Sequence, residues 1–196
     1  MNHPILKSSI LMLVFTAISI FFVAGTNQNT IDKIQSNEKE YLLSQLNQLV
    51  PNYENDILGD AYTKNVNLYG VEQNLTIYPA KKGNEINAFI IDHFYPKGYS
   101  GKIRLISAIS SDKKFIGMRV ISHKETPGLG DGIDVRKSNW IQQFNNLPIN
   151  QFDFNQWKLK EDGGQFDSMT GATITSEALV NASLELISLF ENNEIK

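Results

Sequence analysis

The chain has 196 residues, a formal net charge of −3, 41% hydrophobic residues and 20% charged residues. This composition fits one globular domain with an appendage, and it argues against a nucleic-acid-binding protein, which needs a clustered basic surface. Because the sequence contains no cysteine, disulfides, thiolate catalysis and cysteine-held zinc or iron–sulfur sites are excluded. The three histidines, His3, His93 and His123, lie far apart in the sequence, so we expect no metal centre.

An uninterrupted apolar segment stands near the start of the chain. No charged residue occurs between Ser8 and Ile31, and at about 1.5 Å per helical residue this run can cross a hydrocarbon layer about 30 Å thick. The alternative is a cleaved signal peptide, but its apolar core is usually about 7–15 residues long and ends at a small-residue cleavage site. We therefore predict an N-terminal flank over residues 1–7 and an uncleaved membrane anchor over residues 8–28. The flanking lysines barely decide its orientation.

A polar neck and an amphipathic helix are predicted over residues 29–50. Asn37 and Glu40 have the spacing of a capping box, and leucines recur at helical intervals as far as Leu49. Pro51 predicts the end of this helix.

The rest of the chain, residues 51–196, is predicted to form one α+β domain. Residues 74–94 and 101–122 each have the pattern of two strands joined by a short turn, and short connections imply antiparallel neighbours. Ser138 is placed to cap a short helix. A last helix, beginning between Thr173 and Ser176, has an apolar face formed by Leu179, Ala182, Leu186 and Phe190. We expect one antiparallel sheet covered by helices.

Five hydroxyl side chains surround a Gly-Ala pair in the stretch DSMTGATITS, residues 167–176. One interpretation is helix capping, in which a serine or threonine side chain bonds a free backbone N–H and contributes about 1 kcal/mol. The other is covalent chemistry, because a helix N-terminus favours an anion and a hydroxyl there can carry a phosphate group. The spacing alone favours capping.

The stretch ETPGLG, residues 125–130, forms a second motif. Pro127 fixes one φ angle, whereas Gly128 and Gly130 permit positive φ or close approach of a partner to the backbone. Leu129 can form an apolar tip. The pattern suits either a structural turn between sheet and helix or a loop whose backbone lines a flat ligand.

Taken together, the two motifs and the single N-terminal span resemble the RnfG family, which belongs to the Rnf electron-transport complex, called Rsx in some bacteria. The resemblance covers most of the chain and is tightest from Tyr95 to Asn181. In that family the motif Asp-x-x-Ser/Thr-Gly-Ala-Thr accepts flavin mononucleotide (FMN) on its last threonine through a phosphoester bond. The resemblance implies that Thr173 is the acceptor and that the loop over residues 125–130 lies near the flavin ring. Thr175 lies just outside the motif, and we expect it to be a helix cap. The implied binding residues are Asp167, Thr170, Gly171, Ala172 and Thr173, with Glu125, Thr126, Pro127, Gly128, Leu129 and Gly130 near the ring.

The function implied by the resemblance is electron transfer within a membrane complex that couples it to ion translocation. The chain would be an electron carrier with no catalytic residue of its own, inside a redox-driven translocase of the EC 7 type. Its partners would be the other subunits, the lipid bilayer of the bacterial inner membrane, and a flavin transferase that uses flavin adenine dinucleotide as donor. The domain over residues 51–196 would face the periplasm and residues 1–7 the cytoplasm.

Two other interpretations remain open. The chain could be the equivalent flavin subunit of a sodium-translocating NADH:quinone reductase, which has similar motifs, or a membrane-tethered assembly module without a cofactor. His93 or His123 as a flavin or metal ligand is less favoured, because a lone histidine in a strand is usually half-buried or exposed.

Overall fold

The computed structural model describes residues 4–149 and 154–192. The first three residues of the predicted flank, and residues 150–153 and 193–196 of the predicted domain, lie outside the described residues. The chain divides into two compact units, Met1–Ser44 and Gln45–Lys196.

The N-terminal part is one long helix, α1, which spans Pro4–Leu49. Its segment Leu6–Asn27, 22 residues, is long and apolar enough to cross a membrane. The predicted helix start at Asn37 is wrong, because the sequence has neither proline nor glycine between residues 26 and 49 to stop the helix. The predicted end is confirmed, because the helix stops at Leu49, ahead of Pro51.

The second unit is built on one antiparallel sheet of six strands that lie side by side in chain order. Strands β2 to β5 are the four strands expected from the sequence, and their antiparallel pairing is confirmed. Two further strands, β1 and β6, extend the two edges. The strands span Tyr62–Leu68 (β1), Val71–Lys82 (β2), Glu85–Gly98 (β3), Gly101–Ser110 (β4), Lys114–Ser122 (β5) and Leu147–Pro148 (β6).

Helix α2, Thr173–Glu191, packs on the sheet and closes the main core. The four side chains of its predicted apolar face, Leu179, Ala182, Leu186 and Phe190, are all fully buried. They join strand residues such as Ile91 of β3 in one hydrophobic cluster. The predicted α+β class is confirmed.

An aromatic cluster holds the segment that leads into α2. Phe166 stacks on Phe144, with ring centroids 4.6 Å apart, and meets the edge of Trp157 at 5.1 Å. Trp157 donates from Nε1 to the Ser183 hydroxyl of α2 at 2.7 Å. Phe144 lies in a short 3-10 helix, Trp140–Phe144. The N-cap of that helix is Asn139 rather than the predicted Ser138, although the Ser138 hydroxyl accepts the N–H of Trp140 at 3.1 Å.

His93 is fully buried beneath α2, where the sequence suggested a half-buried or exposed position. Its Nδ1 lies 2.9 Å from the Tyr69 hydroxyl, which donates its proton to the Ala182 carbonyl at 3.0 Å. Since that proton is used, Nδ1 must carry a hydrogen and donate it to Tyr69. The unprotonated Nε2 then accepts from the Ser107 hydroxyl at 2.9 Å. This neutral network connects α2 to β3 and β4.

Candidate functional site

The motif at residues 167–173 ends in a tight turn directly before α2. The Ala172 N–H donates to the Met169 carbonyl at 2.9 Å, and Gly171 occupies the third position of the turn with φ +76°. That φ is typical of the third residue of a type II turn, which strongly favours glycine. Thr170 precedes this glycine, and Thr173 is the first residue of the helix. Both threonine side chains are exposed.

The other hydroxyls of the motif region play structural roles that the sequence did not reveal. The N-cap of α2 is Ala172, so no side chain caps the helix. Thr175, expected as a cap, is buried and donates from Oγ1 to Oε2 of Glu125 at 2.5 Å. Ser176 is also buried. Its hydroxyl accepts the Met169 N–H at 2.9 Å and donates to the Ala172 carbonyl at 3.1 Å. The cap prediction for Thr175 is therefore wrong.

The backbone of Asp167, rather than its side chain, fixes the start of the motif. Gln143 accepts the Asp167 N–H at 2.8 Å, and the indole N–H of Trp140 donates to the Asp167 carbonyl at 2.7 Å. The exposed Asp167 carboxylate pairs with Lys160 at 2.6 Å. Gln143 and Trp140 were not identified as site residues from the sequence, because they lie more than twenty residues away and touch only the backbone.

The loop over residues 125–130 is held by its own backbone. The Thr126 carbonyl accepts from the N–H groups of Leu129 at 3.2 Å and Asp131 at 3.3 Å. The Asp131 carboxylate accepts the Gly128 N–H at 2.7 Å, and Gly128 has φ +78°. These bonds leave the Leu129 side chain 49% exposed, as the predicted apolar tip.

Glu125 connects this loop to α2 and to the sheet. Its side chain is 4% exposed. Besides the bond from Thr175, it accepts the Ser100 N–H on Oε1 at 3.0 Å. The Glu125 N–H donates to Nδ1 of His123 at 3.0 Å. The carboxylate thus joins the β3–β4 turn, the loop and the first turn of α2.

A pocket of about 280 Å³ lies between the loop and the start of α2. The structure therefore brings together four of the six predicted loop residues with Gly171 and Ala172 of the motif. Pro127, Gly128, Asp167, Thr170 and Thr173 do not line it, although Thr173 stands between two residues that do. The lining residues are Tyr99, Glu125, Thr126, Leu129, Gly130, Gly171, Ala172, Ile174 and Thr175.

Two apolar side chains of the pocket, Tyr99 and Ile174, were missed by sequence reasoning. Tyr99 is 65% exposed and lies in the turn between β3 and β4. In an antiparallel meander this turn lies at the same end of the sheet as the end of β5, from which the 125–130 loop departs. The strand pattern could therefore have placed Tyr99 near the loop. Ile174 is exposed on the first turn of α2. Its apolar side chain lies outside the predicted apolar face of that helix, and this was the signal that could have indicated a binding residue.

The pocket fits the flat ring of a flavin. Its walls are mostly apolar and carry few polar groups, as in typical small-molecule sites of about 300–1,000 Å³, and its volume suits a ring system rather than a whole nucleotide. A Cβ at Gly171 would lie 3.3 Å from the Leu129 Cδ2, so glycine keeps this edge open. The adjacent N-terminus of α2 suits a phosphate group.

Comparison with known proteins agrees with this geometry. Residues 98–188 match the FMN-binding domain family, and residues 1–49 match the RnfG N-terminal region. A protein of Shewanella baltica (strain OS223), named as the G component of an ion-translocating oxidoreductase complex, is 38% identical over 99% of this chain and 93% of its own length. This chain belongs to the RnfG family. Relatives of the same name from Vibrio atlanticus (strain LGP32) and Vibrio cholerae serotype O1 (strain M66-2) are 36% and 40% identical, over 98% and 93% of this chain and 93% and 88% of their own lengths.

The family assignment identifies FMN as the cofactor, and the matched FMN-binding domain contains the whole pocket. It begins at Gly98, just ahead of Tyr99, and extends beyond the motif into α2. The resemblance inferred from the two motifs and the N-terminal span is therefore confirmed at the level of the RnfG family and of its cofactor.

Proposed function

We propose that this RnfG family member carries FMN in phosphoester linkage to Thr173. It serves as the electron-carrying subunit of a membrane complex that couples electron transfer to ion translocation, a redox-driven translocase of the EC 7 type. The family membership and the FMN-binding domain support the general role. The covalent linkage rests on the geometry of the motif.

The observation that carries the linkage is the environment of the five hydroxyls. Thr175 and Ser176 are buried and already hydrogen-bonded, and Ser168 is half-buried. Only Thr170 and Thr173 are exposed. Of these two, Thr173 is the first residue of α2, where free backbone N–H groups and the helix dipole stabilise a phosphodiester by about 0.3–1 kcal/mol. Thr173 also adjoins the pocket that fits the ring.

Attachment requires a second protein, because a threonine hydroxyl is a poor nucleophile without an activating base. We propose a flavin transferase that uses flavin adenine dinucleotide. The Thr173 oxygen forms a bond to the phosphorus of the FMN half, the bond to the adenosine monophosphate half breaks, and the hydroxyl proton passes to a base of the transferase. The exposed turn at Thr170 and Gly171 leaves Thr173 accessible for this reaction.

The bound FMN supplies the redox chemistry, which belongs to the cofactor. The residues of this chain position and shield it. Tyr99, Leu129 and Ile174 offer apolar contacts around the ring, and the Gly130 and Gly171 backbone permits close approach. The fixed turn at Met169–Ala172 holds the attachment point near the pocket. The contribution of the 125–130 loop to ring binding is part of the proposal.

We place the chain in the bacterial inner membrane as a single-pass protein, with residues 1–7 in the cytoplasm, 8–28 in the lipid bilayer, 29–50 as a neck, and 51–196 in the periplasm. The apolar segment Leu6–Asn27 supports the span. The names of the relatives support assembly with the other subunits of an Rnf-type complex.

The alternatives are less well supported. The match of residues 1–49 to the RnfG N-terminal region favours RnfG over the corresponding subunit of a sodium-translocating NADH:quinone reductase. The FMN-binding domain match opposes an assembly module without a cofactor.

The proposal is tested by producing the full chain together with a flavin transferase and separating it on a denaturing gel. We expect flavin fluorescence in the wild-type band and in Thr170→Ala, but none in Thr173→Ala. Fluorescence that persists in Thr173→Ala and disappears in Thr170→Ala would show that Thr170 is the acceptor. A wild-type band without flavin fluorescence would contradict the proposed covalent linkage.

A further inference from the structure

A buried carboxylate lines the pocket without an opposite charge. Glu125 is 4% exposed and accepts two hydrogen bonds, from Ser100 and from Thr175. Within residues 4–149 and 154–192, no lysine, arginine or histidine forms an ion pair with it. An ionised carboxylate only accepts hydrogen bonds, and both donors here suit that form.

The glycine at position 130 leaves room for the Glu125 side chain. A Cβ at Gly130 would lie 3.1 Å from the Glu125 Cβ, 3.2 Å from Oε2 and 3.0 Å from the Thr175 hydroxyl. Gly130 is not among the residues with positive φ, so backbone conformation does not require glycine there. Glycine is instead favoured at this position because a side chain there would crowd Glu125 and Thr175.

Such an arrangement lowers stability, because a buried charge without a partner loses its hydration and gains no ion pair in return. A glutamine could form the same two hydrogen bonds with Ser100 and Thr175 without burying a charge. The position of Glu125 is therefore better explained by an effect on the molecule in the pocket than by an effect on folding.

We propose that the Glu125 carboxylate sets the reduction potential of the flavin by its charge. The proposal rests on the proposed function, since it requires FMN in this pocket. Reduction adds negative charge to the ring system, and the fixed negative charge of a buried side chain that lines the pocket opposes it. Glu125 therefore favours the oxidised flavin and lowers the midpoint potential. It acts as a redox-tuning group on the wall of the pocket.

The test is a spectroelectrochemical titration of the flavinylated full chain in detergent. Glu125→Gln removes the charge but keeps the shape: its carbonyl can accept the Ser100 N–H, and its amide can donate to the Thr175 oxygen. We expect a higher midpoint potential than in the wild type, and a shift that persists at high salt. Glu125→Met, which removes both the charge and the hydrogen bonds, must shift the potential in the same direction.

The matched control is Glu177→Gln, which removes the same charge from an exposed position on α2, directly after Ser176. Salt screens exposed charges strongly and buried charges weakly. We expect its shift to be several-fold smaller than that of Glu125→Gln and to vanish at high salt. Equal potentials in the wild type and both Glu125 variants would overturn the proposal, as would equal shifts in Glu125→Gln and Glu177→Gln.

A second measurement needs no flavin. In full chain made without the transferase, Glu125→Gln should unfold at a temperature at least as high as that of the wild type, because it removes the uncompensated buried charge and keeps the hydrogen bonds to Ser100 and Thr175. A clearly lower unfolding temperature for Glu125→Gln would show that the charge of Glu125 stabilises the fold, and would contradict this argument. The two proposals fail separately: wild-type chain without flavin contradicts the proposed function, whereas flavin that is attached at an unchanged potential contradicts only the role of Glu125.

Discussion

The buried His93 network predicts a specific loss of stability in acid. Burial lowers the pKa of His93 from 6.5 to about 3, so the folded protein keeps this ring neutral while the unfolded chain protonates it below pH 6.5. The network stability is therefore fully present above pH 6.5 and is lost as the pH falls towards 3. Each pKa unit corresponds to about 1.36 kcal/mol. By pH 4.5 the His93 contribution to the loss is about 3 kcal/mol.

The variant that isolates this effect is His93→Gln, which fills a similar volume, forms hydrogen bonds and does not titrate. At pH 7 we expect it to be less stable than the wild type by about 1–3 kcal/mol, since imperfect bonds to the Tyr69 and Ser107 hydroxyls leave buried polar groups unsatisfied. Between pH 7 and 4.5 this difference should shrink or reverse, because only the wild type pays the cost of protonation.

The assay is urea unfolding of the full chain in detergent, followed by the fluorescence of Trp140 and Trp157 at several pH values. Carboxylates that titrate in the same range affect both proteins alike, so the difference between the two unfolding free energies reports His93. A difference that stays constant from pH 7 to 4.5 would refute the neutral buried imidazole.

Three further substitutions test the site and the fold. Ser176→Ala should lower the unfolding free energy by about 1 kcal/mol, because the partly buried Met169 N–H loses its acceptor. Gly171→Ala should cost about 1 kcal/mol, because φ is +76°. It should also reduce flavin incorporation, because the new Cβ narrows the pocket next to Leu129. Asn145→Asp should raise the unfolding free energy by about 0.5–1 kcal/mol at pH 7, because it places a negative charge next to the buried Arg119 guanidinium. The Asn145 Oδ1 lies 3.4 Å from Nη1 of Arg119. Burial lowers the pKa of Arg119, and its Nε has no acceptor among the described residues.

Each of these substitutions has a matched control, read by urea unfolding and flavin fluorescence. Ser188→Ala removes an exposed hydroxyl from the same helix and should leave stability nearly unchanged. Gly70→Ala has a similar φ of +74° and no atom near the new Cβ, so it should lose stability without losing flavin. Asn74→Asp adds the same charge at an exposed position of β2 and can still accept the hydrogen bond from the Asn65 amide. It should not raise the unfolding free energy. A variant that behaves like its control contradicts the corresponding prediction.

The sequence was most informative where apolar residues cluster in runs between turn residues or recur with the period of a helix. Strands β2 to β5 were predictable because each is a run rich in apolar and β-branched residues next to a short turn. The apolar face of α2 was predictable because its buried side chains recur with the period of a helix. Strand β1 was missed because its stretch YTKNVNL is mostly polar and lies at the edge of the sheet. The evidence for this strand is its antiparallel pairing with β2, which is visible in the structure but not in the sequence.

The site was predictable in its motifs but not in its internal contacts. The resemblance placed the acceptor motif and the loop together, and the structure shows that parts of both line one pocket. It could not reveal that Thr175 bonds Glu125, fifty residues away, because local capping rules assign a threonine near a helix start to that helix. Long-range hydrogen bonds of this kind leave no periodic signal in one sequence.

The central claim is the phosphoester at Thr173, and peptide mass spectrometry of the natively assembled protein tests it most directly. The peptide from Gly163 to Glu177 should carry the added mass of esterified FMN, and fragmentation should place that mass on Thr173. The same peptide without added mass, or with the mass on Thr170, would contradict the account.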